Sequence, residues 1–190
     1  MFEYIKGEIN LKNANLLAVD VAGIAYRVIC SKTTSASFED RSQGKVYIYT
    51  YVREDAITLY GFYTEEEREL FSQFISTSGI GAKLAIEILS TYTPEEICSL
   101  IRDEAIQHLT RVSGLGTKKA KKLILEIKDK VPDIMSNVNI QMREDIIMGL
   151  QALGYQKSVI LEKTANMDFN YLSIQEGIED ILEKIIGNRD

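Results

Sequence analysis

Residues 78–85 read Ser-Gly-Ile-Gly-Ala-Lys-Leu-Ala, and residues 113–120 repeat the pattern as Ser-Gly-Leu-Gly-Thr-Lys-Lys-Ala. In both copies a Gly-hydrophobic-Gly tripeptide separates two stretches with helical periodicity. A single Gly-x-Gly between helices is more often a plain turn than a binding site. Two copies 35 residues apart, each with a lysine and an alanine at matching places, indicate instead a duplicated motif with a common use.

The glycine spacing suits a turn that presents a helix end to an anion. Glycine tolerates a positive φ and leaves space where another backbone must approach. The residue between the glycines can anchor the turn in a core, while the next helix offers free N–H groups at the positive end of its dipole, a good site for phosphate. None of these groups reads base edges, so we expect binding to nucleic-acid backbone of any sequence. The predicted backbone-binding residues are Gly79, Ile80, Gly81, Lys83, Gly114, Leu115, Gly116, Lys118, Lys119 and Lys122.

The net charge of −6 argues mildly against nucleic-acid binding, but the charges are unevenly distributed. Residues 110–130 contain seven Lys or Arg and only two Asp or Glu. Residues 135–190 contain five basic and nine acidic side chains. We therefore expect the second copy of the motif to attract phosphate most strongly, and the C-terminal segment to be ill-suited to DNA.

The periodicity of the chain changes along its length, which predicts an α+β protein with several domains. Residues 1–63 contain about five short stretches of strand character, enough for an N-terminal OB-like β-barrel, although an SH3-like barrel fits nearly as well. Residues 64–131 have helical periodicity and predict about five helices. Residues 132–141 have no strong period and are interpreted as a linker, and residues 142–190 predict a bundle of three helices. The predicted helix caps are Thr64, Thr93 and Ser173.

Several classes of site are excluded by composition. Cys30, Cys98 and His108 are too few and too scattered for a zinc site or a cysteine-held iron–sulfur cluster, so we expect no metal and no other cofactor. The two cysteines are expected to be small buried hydrophobes. The sequence has no phosphate loop of Gly-x-x-x-x-Gly-Lys-Ser/Thr type, so an ATPase would have to lie in another chain. The lack of a signal-peptide layout and of a long apolar run favours a cytoplasmic protein.

Glu54 and Asp55 form an acidic pair between two predicted strands. A solvated tip of a hairpin is the usual role of adjacent carboxylates. A metal site for nuclease chemistry is the less favoured alternative, because no further acid or histidine is clustered with them in the sequence. From the residues alone the solvated tip is preferred.

The spacing hydrophobic-x-x-Gly-hydrophobic-Gly-x-x-x-Ala resembles that of helix–hairpin–helix motifs. The order of a barrel, two such motifs, a linker and a small helical bundle resembles the RuvA family of bacterial Holliday-junction-binding proteins over the entire chain. Local matches lie at residues 52–62, 123–129 and 152–155. The sequence departs from the family pattern at Ala82 and Ser113, where such hairpins often carry proline, so the turns are expected to be slightly less rigid.

The resemblance implies a non-catalytic DNA-binding subunit that acts in recombination, in DNA repair and in the SOS response to DNA damage. It implies a homotetramer, with one or two tetramers per junction, that holds four-way junction DNA in an open form. Its partners would be RuvB, a hexameric ATPase that drives branch migration, and the RuvC resolvase. The matching acidic pair, Glu54 and Asp55, would form a pin near the junction crossover. The C-terminal bundle would bind the motor, with Leu150, Leu153 and Tyr155 as candidate contacts, although at least one of the three is expected to pack in the core of the bundle instead.

Two other functions remain open from the sequence. A helix–hairpin–helix DNA glycosylase or nuclease would use one hairpin together with a catalytic acid and a pocket for a flipped base. Here the motif is doubled and tryptophan is absent from the sequence. A single-strand binder could stack bases on Tyr47, Tyr49 and Tyr51, which alternate along one predicted strand, although such residues more often form core or subunit contacts.

Overall fold

Five strands close into a barrel in the computed structural model, which describes residues 2–39, 43–164 and 174–186. The strands are β1 (Tyr4–Asn13), β2 (Leu16–Val21), β3 (Ile24–Cys30), β4 (Gln43–Val52) and β5 (Ile57–Phe62). Their order around the barrel is β1-β2-β3-β5-β4, and β4 pairs back onto β1. β3 and β5 run parallel, while the other neighbours run antiparallel. The predicted OB-like barrel is confirmed.

A helix that the sequence does not predict, α1 (Lys32–Ser37), connects β3 to β4. Its serines and threonines are weak helix formers. The side chain of Ser31 caps it by accepting a hydrogen bond from the Thr34 N–H, 3.0 Å away. The Thr33 hydroxyl donates to the carbonyl oxygen of Leu89 at 2.6 Å. Capping and tertiary contacts therefore support a helix that propensity alone does not favour.

The barrel interior is filled by alternate residues of its strands, as the period of two requires. In β4, Val46 and Ile48 are buried inside the barrel. The intervening Tyr47, Tyr49 and Tyr51 lie on the opposite face and are half-buried. The tyrosine face must therefore be covered, at least in part, by other elements of the chain.

Helix α2 (Glu65–Ser76) covers the tyrosine face of the barrel. The ring centroid of Phe71 on this helix lies 5.3 Å from that of Tyr49, 4.9 Å from that of Tyr60 and 5.0 Å from that of Phe62. Aromatic rings at these separations attract one another in tilted and edge-to-face arrangements. Tyr49 thus packs between the barrel and the helices, which argues against its use as a platform for stacking bases.

Four further helices follow α2 in the same unit of the chain. They are α3 (Ala82–Leu89), α4 (Pro94–Arg102), α5 (Ile106–Leu109) and α6 (Thr117–Ile127), and a 3₁₀ turn at Lys128–Lys130 completes the segment. The predicted five helices are confirmed. Thr64 caps α2, and Thr93 forms a reciprocal capping box with Glu96 at the start of α4. The third predicted cap, Ser173, lies outside the described residues.

The two cysteines are buried and unpaired, as the sequence predicts. Burial raises the pKa of the Cys30 thiol to about 12 and that of the Cys98 thiol to about 12. Thiols with such pKa values remain protonated at neutral pH, so they act as small apolar groups of the core.

The chain divides into two compact units, residues 1–131 and residues 132–190. In the second unit the helices are α7 (Val131–Ala152), α8 (Lys157–Lys163) and α9 (Ile174–Ile186), which confirms the predicted three helices. Their core contains Met142, Ile146, Ile147, Leu150, Ile160 and Ile181. No helix in the described ranges is both long and apolar enough to span a membrane.

Residues 132–141, which the sequence predicts to be a linker with no strong period, all lie within α7, so this segment is helical. Pro132 lies in the first turn of this helix, where its missing N–H costs nothing. The apolar residues at 131, 134, 138 and 142 are spaced by three and four, which is a helical pattern diluted by Asn and Ser. The weak period therefore hid a real helix.

Candidate nucleic-acid interface

The two Gly-hydrophobic-Gly segments adopt the same turn. Gly79 has a φ of +93° and Gly114 has a φ of +85°, a region that residues with side chains rarely enter. In the first turn the N–H of Ile80 donates to the carbonyl oxygen of Thr77 at 3.0 Å. In the second turn Leu115 donates to Val112, also at 3.0 Å. The sequence repeat is therefore a repeat of backbone geometry.

The residue between the glycines anchors each turn. Ile80 is 4% exposed and Leu115 is 1% exposed, whereas the glycines on either side of them are exposed. Burial of a Leu or Ile side chain contributes roughly 1.5–3 kcal/mol. Each turn is thus fixed to the core at one point and presents its backbone to solvent on both sides of that point.

The second glycine of each turn is the cap of the helix that follows. Gly81 precedes α3 and Gly116 precedes α6, and both have ordinary extended backbone conformations with no side-chain cap. The first N–H groups of a helix have no acceptor within the helix. A methyl group built at either glycine meets no other described atom within 4 Å. Each helix therefore begins with uncapped N–H groups and open space in front of them.

The fold brings the two turns to one groove of about 480 Å³. The residues that line it come from both copies of the motif and are Gly79, Gly81, Lys83, Leu84, Glu87, Ser113, Gly114 and Lys119. Leu84 of the first copy comes close enough to Gly114 that its Cδ1 would lie 3.6 Å from an added Cβ there. Residues of two motifs that are 35 residues apart in sequence therefore form one surface, although the predicted residue Gly116 is not among those that line it.

The predicted lysines divide into two groups. Lys83 and Lys119 line the groove, and the Nζ of Lys119 donates a hydrogen bond to the carbonyl oxygen of Gly114 at 3.3 Å. Lys118 is exposed but is not among the groove residues. Lys122 forms an ion pair with Glu126 at 3.6 Å on the surface of α6. The groove therefore receives one lysine from each copy, with further positive charge beside it.

Three groove residues were not predicted as backbone-binding residues: Leu84, Glu87 and Ser113. The alignment of the two copies could have indicated the first two, since the same offset pairs Leu84 with Lys119 and Glu87 with Lys122. Ser113 was noted only for its departure from proline, and it also lines the groove. The two copies are thus similar in backbone and unequal in charge.

The helix that follows the first turn is tied to the barrel through α1. The backbone N–H of Lys32 donates to the hydroxyl of Ser90, 3.0 Å away, just beyond the end of α3. Deeper in the same region, the buried carboxyl of Glu67 accepts hydrogen bonds from the Thr34 hydroxyl at 2.9 Å and the Tyr63 N–H at 2.8 Å. Burial raises the pKa of Glu67, and these hydrogen bonds partly oppose the shift.

The acidic pair lies at the exposed turn between β4 and β5. The turn is closed by a hydrogen bond of 2.9 Å from the Arg53 N–H to the carbonyl oxygen of Ala56. Below it, Val52 and Ile57 pair across the two strands and are 66% and 70% exposed. Among the described residues, no group of three or more His, Cys, Asp or Glu could hold a metal ion. Glu54 and Asp55 therefore form a solvated tip on an apolar stem.

The three candidate contacts of the C-terminal unit differ in exposure. Leu150 is fully buried in the core, which is the alternative role that the sequence allows for at least one of the three residues. Tyr155 is half-buried and packs against that core. Leu153 is 60% exposed, and Met148 on the same helix is 66% exposed. Only Leu153 among the three presents a large apolar surface to solvent.

A five-stranded OB-like barrel, followed by two helix–hairpin–helix turns that share one groove, defines a tandem helix–hairpin–helix protein. Residues 71–129 match the family described as SAM-like Helix-hairpin-helix tandem. Residues 1–61 match the RuvA N terminal domain.

Several relatives are similar in sequence to this chain over most of its length. The Holliday junction branch migration complex subunit RuvA of Fusobacterium nucleatum subsp. nucleatum is 32% identical over 190 residues, which covers 97% of this chain and 98% of the relative. The subunit of the same name from Staphylococcus aureus (strain Newman) is 34% identical over 202 residues, covering 98% and 100%. That of Acetivibrio thermocellus is 42% identical over 132 residues, covering 69% and 65%. The chain belongs to the RuvA family.

Proposed function

We propose that this chain binds four-way junction DNA without regard to sequence and acts as the DNA-binding subunit of a branch-migration complex. The observation that carries the proposal is the groove into which both hairpins open. Each hairpin offers uncapped N–H groups, a glycine in place of a side chain, and a lysine. The names of the relatives, which call them subunits of a Holliday junction branch migration complex, support the same role.

The groove is suited to the DNA backbone. Phosphate oxygens accept hydrogen bonds from main-chain N–H groups at helix ends, where the dipole also favours negative charge. Lys83 and Lys119 add full positive charges at the same surface. These contacts position a duplex but carry no information about its bases. Discrimination of a junction from a linear duplex therefore has to come from the way in which several subunits are arranged.

A homotetramer, with one or two tetramers per junction, is the assembly that would supply this arrangement. The barrel exposes apolar side chains that self-association could bury, namely Phe2, Tyr4, Leu11 and Ile24. Four copies would place eight carboxylates from Glu54 and Asp55 around a common centre. Phosphates that approach such a centre would be repelled, which disfavours DNA that is not a four-way crossover.

The C-terminal unit would bind a partner motor, an ATPase of the RuvB kind, while RuvC would resolve the junction. Residues 135–190 carry more acidic than basic side chains, which is unfavourable for DNA and acceptable for a protein partner. Exposed Met148 and Leu153 offer an apolar contact. Leu153→Asp is therefore expected to abolish stimulation of the motor while junction binding is retained, and loss of junction binding would contradict this division of roles.

The experiment that tests the proposal is a competition between a labelled four-way junction and a linear duplex with the same arm sequences at physiological salt. We expect strong preference for the junction, no cleavage of either DNA, and a salt dependence of the junction affinity with a log–log slope steeper than about −10, if each subunit of a tetramer neutralises roughly four phosphates. Equal affinity for both DNAs would leave a general duplex binder. Cleavage would contradict the role of a non-catalytic subunit.

A further inference from the structure

The two hairpin helices begin in the same way but differ in the charge of their second turn. The N–H of Ala85 donates to the carbonyl oxygen of Gly81 at 3.0 Å, and the N–H of Ala120 donates to that of Gly116 at 3.0 Å. The same register that aligns these bonds aligns Glu87 with Lys122. An acid therefore occupies, in the first helix, the position that a lysine occupies in the second.

Glu87 is part of the groove. Its half-buried side chain lines the same surface as Lys83 and Lys119. In the part of the chain that the structure describes, no Lys, Arg or His nitrogen lies within 4.0 Å of its carboxylate. The acid is thus not neutralised by a close ion pair, and a phosphate that enters the groove meets its charge.

We propose that Glu87 weakens the hold of the first hairpin on DNA, so that the two hairpins bind the backbone unequally and a duplex is released quickly from the groove. The inference rests on the proposed binding of DNA to this groove. A carboxylate and a phosphate repel each other most where water is partly excluded. The second hairpin, with Lys118, Lys119 and Lys122 on its helix, would then provide most of the attraction, while the first would guide the duplex with little hold on it.

Unequal binding by the two hairpins suits a protein that must let the duplex arms slide over its surface during branch migration. If both hairpins were fully basic, the protein would neutralise more phosphates on each duplex arm and would release more counterions from the DNA on binding. Dissociation of the duplex would then be slower and would depend more strongly on the salt concentration. Mutations within one interface mostly alter the dissociation rate. Glu87 is therefore expected to act chiefly on the rate at which a duplex leaves.

The test compares three variants of the full-length protein on a linear duplex, by equilibrium binding and by the rate of dissociation into excess competitor. Glu87→Gln is expected to tighten binding roughly 3- to 10-fold, mainly through slower dissociation. Glu87→Lys is expected to tighten it further and to make the log–log salt slope steeper by about 1. Glu8→Gln on β1 removes the same charge from an exposed site outside the groove residues, and it should change neither quantity.

Folding of these variants should be retained, because Gln and Lys are good helix formers and the Glu87 side chain makes no hydrogen bond or ion pair with a described residue. The carbonyl oxygen of Glu87, which accepts a hydrogen bond from the Thr91 hydroxyl, is kept in both variants. Unchanged or weaker binding by Glu87→Gln would overturn the proposal. A further variant, Lys119→Ala, distinguishes the case in which Glu87 has no effect on DNA binding from the case in which DNA does not bind in the groove at all. If Lys119→Ala loses affinity while Glu87→Gln does not alter it, the groove binds DNA and Glu87 has no part. If neither changes affinity, DNA does not bind in the groove.

Discussion

The ammonium group of Lys119 donates a hydrogen bond to the carbonyl oxygen of Gly114, 3.3 Å away within the same hairpin. The bond directs a flexible side chain back over the turn, toward the groove that both hairpins line. A phosphate at the start of α6 would therefore meet the N–H groups and a positive charge together. The equivalent position in the first copy is Leu84, so this arrangement occurs in the second hairpin and not in the first.

Lys119→Ala is expected to weaken binding to duplexes of all sequences by a similar factor and to make the log–log salt slope shallower by about 1. Lys118→Ala is the matched comparison, because it removes the same charge from the neighbouring residue outside the groove lining. We expect a smaller loss there. Fluorescence anisotropy over a series of salt concentrations measures both quantities, and equal losses for the two variants would indicate a diffuse effect of charge.

Replacement of the first glycine of either hairpin should reduce stability. Gly79 and Gly114 adopt φ values of +93° and +85°, and a residue with a Cβ is strained there by about 1–2 kcal/mol. Gly79→Ala and Gly114→Ala are therefore expected to lower the free energy of unfolding by about that amount each, measured by chemical denaturation. Variants as stable as the wild type would show that the turns do not need this conformation.

The acidic tip is expected to affect the preference for a four-way junction over a linear duplex and not the stability of the fold. Replacing Glu54 with Gln and Asp55 with Asn together removes two charges from an exposed turn and leaves its shape unchanged. We expect the double variant to bind linear duplex better and to discriminate less in favour of the junction, because repulsion at the crossover is lost. The ratio of the two affinities is the measurement. A ratio equal to that of the wild type would leave the pair as a solvated tip.

Glu67 makes stability depend on pH in a defined direction. Burial raises its pKa above the ordinary value of 4.5, so the folded state binds the proton more tightly than the unfolded state does. The stability that this group contributes is present below the unfolded-state pKa and is lost as pH rises through the folded-state pKa. The free energy of unfolding of the wild type, relative to that of Glu67→Gln, should therefore fall as pH is raised above about 4.5.

Glutamine is a suitable replacement at this position. The hydrogen bonds from Thr34 and Tyr63 are both accepted by one oxygen of Glu67, and the amide oxygen of Gln can accept both. The exposed Glu8→Gln serves as the control for loss of charge, and its difference from the wild type should vary less with pH. Denaturation curves for the three proteins across the acidic range test the expectation, and a Glu67 difference that does not vary with pH would refute it.

The sequence predicts those parts of the fold that repeat or alternate. Alternation in β4 predicts a strand with one buried face, although it does not show whether that face is Val46 and Ile48 or the tyrosines. The repeated glycines indicate both hairpins. Helix α1 could not be predicted, because its support comes from Ser31 and from distant Leu89. The start of α7 was missed because polar residues dilute its apolar period.

The groove shared by the two hairpins could not be predicted from the sequence. The repeat in the sequence does not show whether the two motifs face one surface. Only the tertiary fold shows that Lys83 and Lys119 line the same groove. The same tertiary fold brings Glu87 to the surface that both lysines line, although nothing in the sequence distinguishes Glu87 from the other acidic residues of the helices. The net charge of the groove depends on which side chains the tertiary fold brings to it, and the order of residues in the sequence does not determine this.

The central claim, that both hairpins bind DNA backbone through uncapped helix ends, is tested most directly by the affinity of Gly81→Ala combined with Gly116→Ala for a four-way junction. A Cβ at either position meets no described atom within 4 Å, and both glycines have ordinary φ values, so the folded state should lose at most about 1 kcal/mol per cap. The added methyl groups would, however, occupy the space that phosphates need. We expect the affinity to fall about 10-fold or more for the double variant, with its fold retained. Junction binding equal to that of the wild type would contradict the claim.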